Sequence, residues 1–433
     1  MNKSVRSILC LVVLSYSTLA ICQKEAVIDQ AEVTRIITTL AADDMEGRMI
    51  FTPGIEKAAR FIESEFKKAG LEYIDGLDSY QQQFNMYALT PKESSVKING
   101  IDIAAESIIS MANAESFTME LTGSNIVMVG ANDNMQAKFG EARGMEGKTL
   151  MVVHSKHKGL FGRYKGFFSR GSNVMKLDAE NGIIMVLSDA EKVNELEVSV
   201  NNNVKTQSLA NVAGKITGNR PNEIVLFSAH YDHLGISGDG EDKIYNGAND
   251  DASGTTAVMT LAKYFKDTGK KPERTIMFVA FTAEESGGFG STYFSQQLNP
   301  DEIVAMFNIE MIGTSAKEGT NSAWITGFDK SSFGTLLQKA VEGTKYTFYP
   351  DPYPKQNLFY RSDNATLARL GVPAHSISTT QIDIDPHYHK ASDEVSTIDL
   401  EHMTNTIKAL AAAATRMISG EDTPTRVDPA KVR

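Results

Sequence analysis

Five short segments place residues that bind metals or move protons at the ends of apolar runs. In Ala229-His230-Tyr231-Asp232-His233-Leu234-Gly235 an apolar strand leads into His230, and Asp232 follows two residues on, where it can support an imidazole. Asn246-Gly247-Ala248-Asn249-Asp250-Asp251-Ala252-Ser253-Gly254 sets two adjacent acids between glycines, just ahead of a helical pattern. Helix capping accounts for one of these acids and leaves the second unexplained. In Phe278-Val279-Ala280-Phe281-Thr282-Ala283-Glu284-Glu285-Ser286-Gly287-Gly288 a strand buried on both faces delivers two consecutive glutamates. Neighbours in an extended chain point apart, so one is free to hold a metal while the other faces a substrate as a base. Glu310 is the only charge in Phe307-Asn308-Ile309-Glu310-Met311-Ile312-Gly313, and a buried carboxylate needs a cation or a proton. The fifth segment, Asp385-Pro386-His387-Tyr388-His389-Lys390-Ala391-Ser392-Asp393, offers two histidines.

Together the segments supply His, Asp, Glu, Glu and His. Oxygen and imidazole donors without sulfur suit catalytic zinc, and two metals sharing a bridging carboxylate need five protein ligands. Thiolates are excluded as ligands of a processed chain, because the two cysteines, Cys10 and Cys22, both fall in the N-terminal leader.

The elements that must position these residues follow from periodicity. Val33, Ile36, Ile37 and Leu40 predict a helix over 29–41. Thr52, Pro53 and Gly70 bracket a second helix with Ile55, Ala59, Ile62, Phe66 and Ala69 on one face. From 205 onward strand-like runs (224–229, 275–281, 303–309, 374–378) alternate with helical ones (253–265, 290–298, 403–417). That alternation predicts an α/β fold, a mixed, mostly parallel sheet flanked by helices, with ligands beyond the carboxyl ends of the strands. Residues 96–204 carry short β-like runs and read as a β-rich inserted domain. Within it, 154–170 holds Lys156, Lys158, Arg163, Lys165 and Arg170 among Phe161, Tyr164, Phe167 and Phe168. This stretch is expected to be a solvated loop whose aromatics pack locally, with a cationic lid over a substrate as the alternative.

The chain has 433 residues, 43 Lys and Arg against 54 Asp and Glu, and a net charge of −11, which argues against nucleic acid as a partner. Lys3 and Arg6 ahead of an apolar run from Ile8 to Ala20 read as a signal peptide over 1–22 and no membrane span, so a periplasmic or secreted protein is expected. Leu19-Ala20-Ile21-Cys22 is close to a lipobox, which makes an outer-membrane lipoprotein anchored at Cys22 the alternative.

At these residues the sequence resembles the M28 family of zinc metallopeptidases. HYDHLG, GANDDASG, FTAEESGGFGS, NIEMIG and YHKASD stand in the family's order and spacing. The resemblance implies a zinc-peptidase α/β/α sandwich over 23–95 and 205–420, a protease-associated (PA) domain at 96–204 and a tail at 421–433. It implies two zinc ions, one held by His230, Asp250 and Glu310 and the other by Asp250, Glu285 and His389. Glu284 is then the general base, Asp232 a support, and Tyr388 a donor to the oxyanion. The Asp250-Asp251 peptide bond is expected to be cis. His389 is preferred over His387 because the following Lys-Ala-Ser-Asp keeps the family's spacing. Glu310 departs from the family's usual Asp and is one methylene longer. The implied activity is that of an aminopeptidase acting on peptide or protein substrates; a glutaminyl cyclase-like transferase on the same fold, or an inactive binding module, are the alternatives.

Overall fold

A computed structural model describes residues 26–432 of the chain. The leader read at 1–22, with Cys10 and Cys22, lies outside the described residues. Among the described residues no helix is long and apolar enough to cross a membrane.

A large mixed sheet forms the centre, and four of its strands run parallel. In order across the sheet they are Arg274–Phe281, Arg220–His230, Ile303–Ile309 and Ala374–Ser378. These strands alternate between two apolar layers. Val225, Phe227 and Ala229, with Phe278 and Phe307, meet the helices Gln30–Leu40, Pro53–Ala69, Gly254–Asp267 and Leu400–Ile418. Leu226, Val279, Phe281 and Met306 turn to the opposite face and meet Phe294 and Leu367 of the helices Phe289–Gln296 and Asn364–Ala368. Burial on both faces is why these strands read as continuous apolar runs. Because the four are parallel, their carboxyl ends share one rim of the sheet. His230 lies opposite Phe281 and Ser228 opposite Asn308, which brings the segments after Phe281 and Ile309 beside His230.

Two long strands, Gln81–Ile98 and Leu196–Ile216, pair antiparallel, and the register of the second against Arg274–Phe281 carries them past this rim. Between them a separate four-stranded sheet, including Ser124–Val129, Lys148–Val153 and Asp178–Leu187, builds its own apolar layers around Leu150, Val152, Ile184 and Val186.

Two local expectations need correction. Lys158–Phe168 is an α-helix, not a loop, although Gly159, Gly162 and Gly166 weaken its helical signal. Its aromatics do pack locally: Phe161 is buried, and Tyr164 and Phe168 contact Phe139 edge to face. Thr52 precedes its helix, but its hydroxyl donates to the Met49 carbonyl instead of capping. Gly70 does close that helix in the left-handed region, at φ 75°.

Candidate metal centre

Each donor segment leaves a strand end and is fixed by its own hydrogen bonds. His230 is the last residue of its strand and almost fully buried. Its Nδ1 lies 3.1 Å from the backbone carbonyl of Asp232, while the nearest Asp232 carboxylate oxygen is 3.8 Å away. The main chain of Asp232 therefore orients the imidazole and leaves Nε2 facing the site. The Asp232 carboxylate serves the neighbouring turn instead, where it accepts from the amides of Glu284 at 3.0 Å and Glu285 at 3.3 Å. Burial pushes its carboxyl up to about 6.

Asp250 sits in a tight turn held from outside. The amides of Asn249 and Asp250 donate to the two carboxylate oxygens of Asp393, at 2.8 and 3.0 Å. The Asp250-Asp251 peptide bond is cis. Gly247 stands at φ 53°, where a Cβ would meet the Asp250 carbonyl at 2.2 Å and the His233 ring at 2.6 Å. With the turn so set, Asp250 Oδ1 lies 3.3 Å from His230 Nε2, and its Oδ2 lies 3.2 Å from His389 Nε2. One carboxylate thus faces an imidazole on either side.

The two glutamates after Phe281 are not extended. Ala283 takes φ 58°, and a turn follows in which Gly288 and Phe289 donate to the Ala283 carbonyl. The turn still separates the side chains. Glu284 Oε2 approaches His230 Nε2 at 4.0 Å, whereas Glu285 Oε2 lies 3.3 Å from His389 Nε2. Glu310 Oε1 is 3.6 Å from His230 Nε2, and its Oε2 accepts from Ser362 Oγ at 2.7 Å. His389 occupies the second flank, and Tyr388 stacks on it with ring centroids 3.9 Å apart. His387 turns away, its Nδ1 3.0 Å from Ser392 Oγ. His230, Asp250, Glu284, Glu285, Glu310, Tyr388 and His389 all line one pocket of about 570 Å³ counted to its mouth.

Donor atoms also cluster in two alternative groupings, His230 with Asp251 and Glu310, and His233 with Asp250 and Glu285. Asp251 is engaged elsewhere: its oxygens accept from the amides of Gly254 at 3.0 Å, Met311 at 2.9 Å and His230 at 3.3 Å. His233 places Nδ1 2.9 Å from Glu285 Oε1, which makes it a support of that glutamate. His230 thus faces Asp250 and Glu310 on one side of the site, and His389 faces Asp250 and Glu285 on the other.

The electrostatics fit a cation. Burial, opposed by His230 and reinforced by Asp363 and Glu310, pushes the Glu284 carboxyl well above the usual carboxylate range. Burial disfavours charged imidazoles as well, yet the surrounding carboxylates push both up, His389 to about 10 and His230 well above its ordinary value. Carboxylates this concentrated, with nitrogen donors and no sulfur, match a divalent zinc site.

Four further residues support the donors, and two of them, Arg48 and Ser362, lie outside the sequence motifs. Arg48, fully buried, donates to main-chain carbonyls at both donor turns. Asp393 holds the Asp250 turn. Ser362 holds Glu310 and itself accepts from Asn308 Nδ2 at 2.8 Å. Asn308 is visible in the sequence as a lone amide inside an apolar strand, and Asp393 as the last residue of the fifth segment; Arg48 and Ser362 carry no local signal.

Residues 211–414 match the model of Peptidase family M28. The chain is 23% identical to leucine aminopeptidase 2 of Trichophyton rubrum over 428 residues, covering 88% of this chain and 82% of the relative. It is 26% identical to aminopeptidase YwaD of Bacillus subtilis strain 168 over 208 residues, 47% of this chain and 43% of the relative. Among solved structures, the zinc aminopeptidase BSAP from Bacillus subtilis superposes with a TM-score of 0.55 at 18% identity, covering 92% of this chain and 98% of that one. The aminopeptidase from Aneurinibacillus sp. strain AM-1 gives a TM-score of 0.52 at 20% identity, with 94% and 96% covered. These superpositions share the fold, and the family match spans the segments that bear His230, Asp250, Glu284, Glu285, Glu310 and His389. Residues 211–414 thus form a peptidase family M28 domain.

Proposed function

We propose that this metallopeptidase is an exported aminopeptidase that works through two zinc ions. The observation that carries the reading is Asp250, whose two oxygens face the imidazoles of His230 and His389 at 3.3 and 3.2 Å. A carboxylate so placed would offer one oxygen to each of two ions. His230 and Glu310 would complete one metal's protein ligands, Glu285 and His389 the other's. Bound there, zinc supplies Lewis acidity toward a carbonyl oxygen and lowers the pKa of water.

The chain's own residues do the rest. Glu284 lines the pocket on the His230 side and is the base that takes the proton from the attacking water, then passes it to the leaving amine. Asp232 fixes Glu284 through its amide. The Tyr388 phenol is held protonated, by burial first and then by the carboxylates of Asp250, Glu310 and Glu285, so it is a hydrogen donor for the oxyanion. The pocket's carboxylates favour a free α-ammonium, which supports action at N-termini. The relatives' names, leucine aminopeptidase and zinc aminopeptidase, point the same way. Export is read from the leader at 1–22, and 96–204 is proposed to be a protease-associated domain.

The test is Glu284→Gln. Turnover of leucine p-nitroanilide by the zinc-loaded protein is expected to fall by about 10²–10⁴-fold, with two zinc per chain retained. Undiminished turnover would remove Glu284 from its role; a single zinc per chain would favour the cyclase reading.

A further inference from the structure

Part of the pocket's lining is buried and part is exposed, which defines a closed end and a mouth of different chemistry. Met311, Trp324, Ser378 and Thr380 are buried around its closed end. Arg361, an exposed residue, stands at its mouth and is the only lysine or arginine among the lining residues. Its Nη2 donates to the Tyr388 hydroxyl at 3.3 Å. Among the described residues no carboxylate lies within ion-pair distance of it, although the same pocket holds Asp250, Glu284, Glu285 and Glu310. A guanidinium presents a planar fork of N–H donors that matches a carboxylate, and here that fork is open.

Position narrows which carboxylate it meets. Tyr388, the partner of Arg361, stacks on His389, so the guanidinium lies one side chain beyond the donor cluster. Consecutive residues of a peptide lie about 3.8 Å apart. An N-terminal residue seated in the closed end therefore puts its successor at the mouth. We propose that Arg361 binds a carboxylate on the residue after the scissile bond, so that the enzyme prefers dipeptides and peptides with Asp or Glu in second place. The inference rests on the aminopeptidase reading and adds its substrate class. The carboxylate comes either from a free C-terminus or from an acidic side chain.

The test compares zinc-loaded parent, Arg361→Gln and Arg361→Lys on Leu-Ala, Leu-Ala amide, Leu-Asp amide and leucine p-nitroanilide. In the parent, KM for a carboxylate-bearing peptide is expected to be roughly 10- to 100-fold below that for Leu-Ala amide, as for a charge-assisted hydrogen bond. Leu-Ala reports the free C-terminus and Leu-Asp amide the side chain. Arg361→Gln should erase the difference through KM, and Arg361→Lys should restore part of it. Calorimetric binding of Leu-Ala and Leu-Ala amide to the Glu284→Gln protein gives the same comparison without turnover. A ratio near one in the parent, or a ratio untouched in Arg361→Gln, overturns the inference while leaving the aminopeptidase in place. Inertness toward all four substrates sinks the aminopeptidase reading and this inference with it.

Discussion

Replacing Arg48 by Met tests how the donor turns are held. The guanidinium is fully buried and donates to four main-chain carbonyls: Tyr231 at 2.7 Å, Leu40 at 2.8 Å, Asn246 at 2.6 Å and Gly247 at 3.0 Å. Burial pulls its pKa down to about 10, against the pull of Asp393, Asp232, Asp250 and Asp251, so it stays charged at neutral pH. Methionine fills similar space and leaves the Tyr231, Leu40 and Asn246 carbonyls without this donor, whereas Gly247 keeps the Ala252 amide at 3.2 Å. At about 1–3 kcal/mol for each buried group left unpaired, the low end for these three gives a loss of about 3 kcal/mol. That is a large share of a stability of about 5–15 kcal/mol. At about 2.1 cal/mol/K per residue, a 433-residue chain unfolding as a unit should melt roughly 3–4 °C lower. The assay is calorimetric melting in chelator, where metal binding does not offset the loss. Zinc affinity should also fall about 10- to 100-fold, because Tyr231 follows His230 and Gly247 opens the Asp250 turn. Arg48→Lys keeps the charge and three donors and should lie between. An Arg48→Met protein melting within about 1 °C of the parent would refute the reasoning.

Three further outcomes are expected. Ser362→Ala frees Glu310 Oε2 and should weaken zinc binding on the His230 side about 10-fold, read by competition with a chromophoric chelator; unchanged affinity would leave Ser362 without that role. His389→Ala should lower the zinc content by one per chain while His387→Ala leaves it intact, measured by elemental analysis; the reverse pattern would exchange their assignments. His375 is fully buried between Ser331 and the Thr326 carbonyl, and burial pulls its pKa from 6.5 to about 4. Between those values the unfolded chain holds the extra proton, so this contribution to stability is complete above pH 6.5 and falls by up to about 3 kcal/mol as pH drops to 4. Urea titrations of parent and His375→Gln across that range should converge toward pH 4; parallel curves would sink the prediction.

What the sequence makes legible here is set by how far each interaction reaches along the chain. His230 and Glu310 stand out because a buried parallel strand is mostly apolar, and the first ionisable residue at its carboxyl end marks the rim where ligands gather. The glycines around Asp250 similarly announce a turn no side chain would tolerate. The residues that hold these donors lack such a mark, because their partners lie elsewhere in the chain. Arg48 sits in Ala41-Ala42-Asp43-Asp44-Met45-Glu46-Gly47-Arg48, a polar stretch with no period, and apart from Leu40 meets carbonyls 183 to 199 residues away. Ser362 reaches Glu310 across 52 residues and Asn308 across 54. Asp232 shows the intermediate case: its place in the motif is visible, but its carboxylate holds the Glu284 and Glu285 amides while its carbonyl holds His230. That division follows from the fold. The imidazole needs only one acceptor at Nδ1, which the main chain supplies, whereas two amides in an irregular turn need an acceptor that no neighbouring strand provides. Glu310 in place of a shorter acid fits the same logic, since its second oxygen is occupied by Ser362 and only one oxygen faces His230. The extra methylene thus comes with a hydroxyl that fixes it, and the two should be altered together if either is exchanged.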